Sequence, residues 1–96
     1  MPRLSPDDID RRLQALDGWQ LQNGALVKQF VFAGFPGAVA FVARLVPGAE
    51  AADHHPDITI ACKRVTLRYS THSAGAITEK DFDGAQMVDR CAAIGG

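Results

Sequence analysis

All three histidines of this 96-residue chain fall between positions 54 and 72: His54 and His55 in the run Asp53-His54-His55-Pro56, and His72 directly after Ser70-Thr71. Imidazole can give or take a proton near neutrality, because its ordinary pKa is about 6.5, and a nearby carboxylate can orient it. Glu50 and Asp53 are the carboxylates spaced to do this. The set therefore reads either as acid/base machinery or as histidines scattered over a surface. Zinc is a rival reading, since imidazoles bind it, but neighbouring side chains such as His54 and His55 often diverge and no cysteine has suitable ligand spacing. Nucleophilic catalysis finds little support, because Cys62 falls in an expected turn and reads equally well as a small apolar residue. Gly34-Phe35-Pro36-Gly37 is more economically a turn and a helix cap than a phosphate-cradling loop.

Whether three imidazoles can meet depends on the elements that carry them. Asp57 to Ala61 and Arg64 to Ser70 alternate as strands do, with Ile58 and Ile60 on one face of the first and Val65, Leu67 and Tyr69 on one face of the second. A hairpin turning at Cys62-Lys63 returns the chain to its starting end. His54 and His55, just before the first of these strands, then become neighbours of His72, just after the second.

Upstream, Ser5-Pro6-Asp7-Asp8 predicts a helix start, with Ser5 as cap, and Ile9, Leu13 and Leu16 continue at helical spacing to Asp17-Gly18. Asn23-Gly24 separates Trp19–Gln22 from Ala25–Phe32 and predicts a type I′ hairpin, since this pair best tolerates two positive φ angles. Phe35 to Val46 carries only one charge, Arg44, which predicts a helix covered on more than one side. Pro47-Gly48 then predicts a kink or break near Val46, because proline removes a backbone donor and clashes with the preceding turn. Thr78-Glu79-Lys80-Asp81 is a second capping pattern, opening a helix whose apolar surface runs from Phe82 to Ile94. Asp81 reads first as that helix's cap, and Trp19 as core or rim rather than a stacking platform.

The order is thus α-β-β-α-β-β-α. Two hairpins joined by one helix give an α+β fold, a four-stranded antiparallel sheet with its helices packed on one face. Length and composition, 47% hydrophobic and 22% charged, fit a single domain over 1–96. A net charge of −1 offers no general attraction to polyanions, so neither nucleic acid nor a membrane surface is an expected partner. The small basic group Lys63, Arg64 and Arg68 reads as a solvated face. No apolar leader or membrane-length apolar stretch is visible, and Cys62 and Cys91 form no disulfide pattern, so a cytoplasmic location is expected.

Taken together, Glu50-x-x-Asp53-His54-His55-Pro56, then Ser70-Thr71-His72, then Asp81, resembles the pterin-4a-carbinolamine dehydratase family. The likeness extends to Gly18-Trp19, Lys28-Gln29-Phe30 and Arg44 and covers nearly the whole chain. The resemblance implies dehydration of a 4a-hydroxytetrahydropterin, the product left by aromatic amino acid hydroxylases, to a quinonoid dihydropterin, with no metal or organic cofactor. It implies proton transfer at the 4a-hydroxyl by His54 and His72, with His55 binding the pterin and completing the relay, and leaves open which is acid and which base. Glu50 and Asp53 would orient imidazoles or meet pterin N–H groups, and Ser70, Thr71 and Ser73 would contribute backbone and hydroxyl contacts. It also implies a homodimer or homotetramer. Some animal relatives also act as dimerisation partners of a homeodomain transcription factor, and a role in molybdopterin metabolism has been suggested for others. The chain departs from the family's usual pattern at Cys62 and Ile58, where aromatic residues are common, and at Pro47-Gly48, where the helix is usually uninterrupted.

Overall fold

The structure, a computed structural model, describes residues 2–95; Met1 and Gly96 lie outside it, as does the side chain of Ile94, placed above on an apolar helix face. The elements follow the expected order: α1 (Pro6–Gln14), β1 (Gln20–Gln22), β2 (Ala25–Val31), α2 (Phe35–Ala52), β3 (Asp57–Ala61), β4 (Arg64–Tyr69) and α3 (Glu79–Gly95). Local chemistry accounts for the boundaries. Ser5 accepts from Asp8 N and caps α1, satisfying one of the amides that a helix start leaves without an internal partner. At the first hairpin Asn23 and Gly24 take φ values of 50° and 76°, the left-handed pair that a two-residue turn between twisted strands requires.

The strands pair antiparallel in the order β1-β2-β4-β3. Central β4 directs Val65, Leu67 and Tyr69 to one face, all fully buried. Phe30, Lys28 and Leu26 of β2 stand opposite them, and Ile60 and Ile58 of β3 flank the first two. Ala38, Phe41, Leu45 and Ala49 of α2, Phe82, Ala85 and Val88 of α3, and Ile9 of α1 close over this face. Fully burying a Phe or Leu contributes about 1.5–3 kcal/mol, so this single apolar layer holds the helices to the sheet. The other sheet face, carrying Gln29, Thr59, Arg64, Thr66 and Arg68, is left uncovered by the described residues, which fits the expected solvated basic group.

One expectation is corrected. The break near Val46 does not occur: α2 runs through Pro47 to Ala52. Pro47 and Ala43, whose carbonyl would have accepted the missing N–H, are both exposed, so the lost bond faces solvent. Leu45 and Ala49, on either side, are buried and clamp both halves to the sheet. The helix is covered on more than one side, by the sheet and by α3, while Phe35 and Val46, each 55% exposed, and Val39, 41%, leave its outer face open. Trp19, by contrast, is core as expected, its Nε1 donating to Asp89 while Lys28 Nζ bridges Asp89 and the Asp17 carbonyl.

Candidate active site

The histidine site forms where α2 ends. Asp53, its C-cap, takes the left-handed conformation (φ 49°, ψ 44°), and the His54 amide turns back to the Ala49 carbonyl. Aspartate tolerates this region better than most side chains. The turn sends the next two residues apart: His54 folds inward, its side chain 11% exposed, while His55 points outward at 54%. On the opposite side, β4 ends at Tyr69 and a short loop carries His72. That loop is closed by the Thr71–Ala76 bridge and by Gly75 N donating to the His72 carbonyl. A cavity of about 500 Å³ lies between the two segments, lined by Asp53, His54, His55, Pro56, Asp57, Thr71, His72, Ser73 and Lys80.

All three histidines thus border one cavity, as the hairpin argument required. Their environments differ. His54 Nε2 lies 2.7 Å from Asp81 Oδ1, and Asp81 is fully buried. The other carboxylate oxygen, Oδ2, accepts from the Thr71 hydroxyl at 2.8 Å and the Thr78 amide at 2.9 Å. Thr71 has one hydroxyl proton and gives it to Asp81, so the Thr78 hydroxyl donates to Thr71 Oγ1, 2.7 Å away. Thr78 Oγ1 in turn accepts from the Lys80 amide at the start of α3. Asp81 is therefore both the α3 cap read from the sequence and the carboxylate that orients His54. With Nε2 donating to that carboxylate, Nδ1 is the ring nitrogen left without a partner among the described residues.

His55 Nε2 pairs with Glu50 Oε2, one turn back on the uninterrupted α2, and both groups are exposed. Among the described residues His72 makes no side-chain hydrogen bond, so its ring is free to turn toward the cavity. Asp53 and Ser73 line the cavity; Glu50 meets it only through His55, and Ser70 is not in its wall. The hydroxyl of Thr71 is committed to Asp81, and its amide to the Ala76 carbonyl.

Sequence reasoning did not single out Asp57 and Lys80 as wall residues, nor Tyr69, whose ring stacks on the His54 imidazole at 5.5 Å and 28°. Burial, followed by the charge of Asp81, pushes the Tyr69 hydroxyl up to about 12. The departures lie off the cavity. Cys62, at φ 56° in the β3–β4 turn, is exposed at the far end of that hairpin. Ile58 lines a neighbouring apolar groove of about 250 Å³ with Val42, Leu45, Val46, Ala49 and Pro56, and Glu50 and His55 stand at the same groove.

Comparison with known proteins finds relatives over nearly the whole chain. The family model described as pterin 4 alpha carbinolamine dehydratase matches residues 2–91. A protein of Thermosynechococcus vestitus is 46% identical over 96% of this chain and 97% of its own length. One of Roseiflexus sp. is 48% identical over 91% and 94%. Both bear the name pterin-4-alpha-carbinolamine dehydratase as a provisional assignment. Among solved structures, one titled as a transcriptional coactivator/pterin dehydratase from Brucella melitensis superposes with a TM-score of 0.91 at 35% identity, covering 95% of this chain and 99% of that one. A pterin dehydratase-like protein identified as a RuBisCO assembly factor in the alpha-carboxysome reaches a TM-score of 0.63 at 24% identity, over 77% of this chain and 86% of that one, a likeness of fold alone.

Proposed function

Because the chain belongs to the pterin 4 alpha carbinolamine dehydratase family, we propose that it is a 4a-hydroxytetrahydrobiopterin dehydratase, a lyase that eliminates water from the 4a-carbinolamine to give quinonoid dihydropterin. The observation that carries this reading is the convergence of His54, His55 and His72 on one cavity, with a buried carboxylate behind His54. Elimination breaks the C4a–O bond and removes a proton from a pterin nitrogen, so it needs an acid at the departing hydroxyl and a base at the nitrogen. His54 exchanges a proton through Nδ1 at the 4a-hydroxyl together with His72, whose unpartnered ring can follow the leaving oxygen. His55 binds the pterin and returns the proton through the relay. Asp53 and Ser73 contribute contacts to pterin N–H and carbonyl groups, Glu50 acts through His55, and Thr71 acts through Asp81. The chemistry is proton transfer between side chains and substrate, in step with the supply of carbinolamine by an aromatic amino acid hydroxylase.

General acid/base groups contribute about 10²–10⁴-fold to rate, so His54→Ala and His72→Ala are each expected to lower carbinolamine dehydration, followed by loss of its absorbance, by about that range. Wild-type turnover in both variants would overturn the assignment. Tight binding of molybdopterin with no turnover would instead favour a role in molybdopterin metabolism, and binding without turnover of any pterin a non-catalytic module.

We also propose that the chain works as a homodimer or homotetramer. Support comes from the exposed Phe35, Val39 and Val46 of α2 and from Ile58 and Ile60 on edge strand β3, an apolar expanse large for a lone small domain. Light scattering on the eluting protein that gave a monomer mass would reject this.

A further inference from the structure

Tyr69 is the last inward residue of β4 and is fully buried. Val65 and Leu67 before it fill the same layer with aliphatic side chains, which carry no polar atom to satisfy. Tyr69 instead brings in a hydroxyl, the one buried side-chain polar atom among the described residues without a hydrogen-bond partner. The neighbouring helix makes room for it. A Cβ at Gly84 of α3 would lie 2.5 Å from Cζ, 2.6 Å from Cε1 and 3.0 Å from the hydroxyl of Tyr69. Glycine inside a helix and an unpaired buried hydroxyl are each unfavourable, and both serve the same ring.

That ring stands between Trp19, at 6.3 Å, and His54, at 5.5 Å with only 28° between the planes. Behind His54 lies a second recess of about 340 Å³ between α2 and α3, with Gly48, Ala51, Gly84 and Met87 in its wall. His54 borders this recess as well as the histidine cavity, and so does Lys80. An imidazole held only at Nε2 can swing about its carboxylate contact, and the recess gives it somewhere to go.

From this placement we propose that Tyr69 is a positioning residue for His54: the phenol ring backs the imidazole on the side away from the cavity, so that Asp81 at Nε2 and Tyr69 at the ring face together hold Nδ1 toward substrate. Gly84 is the residue that admits it. The catalytic consequence rests on the dehydratase reading, but the positioning itself does not.

The test separates the two. In ¹⁵N-histidine-labelled wild-type protein, His54 is expected to show a protonated Nε2, an unprotonated Nδ1 and nuclear Overhauser contacts from its ring protons to those of Tyr69. Tyr69→Phe should keep the tautomer and kcat within about twofold, whereas Tyr69→Leu should average the two nitrogen signals. In Tyr69→Leu kcat should fall about ten- to a hundredfold, the size expected when a reacting group is displaced by about an ångström, with KM little changed. Wild-type protein lacking the Tyr69 contacts, or a folded Tyr69→Leu with unchanged His54 signals, would overturn the proposal, and the first of these needs no variant to fold. Should no pterin be turned over by wild-type protein while Tyr69→Leu still frees the His54 ring, the dehydratase reading fails and the positioning role stands.

Discussion

The site contains the same pair twice, an imidazole against a carboxylate, in two settings. His54–Asp81 has side-chain exposures of 11% and 0%, whereas His55–Glu50 has 54% and 68%. Asp81 reaches His54 from another element, and both of its oxygens are occupied by Thr71, Thr78 and His54. Glu50 reaches His55 from one turn upstream, and among the described residues its carboxylate holds nothing else. The first pair is a junction tying the end of α2 to the start of α3; the second is a surface contact that solvent can replace. A buried, fully partnered group is expensive to disturb because its partners are left unpaired, while exposed ion pairs are worth about 0–1 kcal/mol.

The sharpest way to break this contrast is to remove the junction. Asp81→Ala strips the partner from His54, Thr71 and the Thr78 amide at once, and is expected to destabilise the fold by about 3 kcal/mol in urea unfolding and to abolish most turnover. A loss below about 1 kcal/mol would show that the network does not hold the helices together. Double-mutant cycles put the pairs on one scale. His54 and Asp81 should couple by about 2 kcal/mol in stability, against less than about 0.5 kcal/mol for His55 and Glu50.

The buried side of the site should also show at alkaline pH. Tyr69 is raised from 10.0 to about 12 by burial. The unfolded chain therefore gives up this proton first, and its contribution is intact below pH 10 and lost as the pH climbs toward 12. Unfolding free energy should fall over that window by at most about 1.4 kcal/mol per pH unit, and Tyr69→Phe should flatten the fall. An identical slope in the variant would assign it to other groups. The smallest effect is expected from Glu50→Gln: stability within about 0.5 kcal/mol and a drop in turnover of severalfold, read as a change in KM more than in kcat.

How much of this was visible in the sequence depends on how local each cause is. Ser5, Asn23-Gly24 and Thr78 act on backbone within three residues, and all three turned out as read. The meeting of the histidines was also legible, because two strands joined by a two-residue turn return the chain to its starting end. Pro47 misled, since the local rule against proline in a helix was overridden by Leu45 and Ala49 packing on the sheet. Asp81 was legible as a cap but not as the partner of His54, which lies 27 residues away. Tyr69 gave no signal, for an inward tyrosine in an alternating strand looks like core, and only Gly84 on another element shows that room was made for it.

The left-handed turn at Asp53 has a further consequence, for how this segment can change over evolutionary time. It decides which of two adjacent, chemically identical side chains goes inward, and it does so by counting residues from the end of α2. One residue inserted or deleted between Ala52 and Pro56 would present a different side chain to Asp81. The length of this linker is therefore as constrained as the histidines themselves.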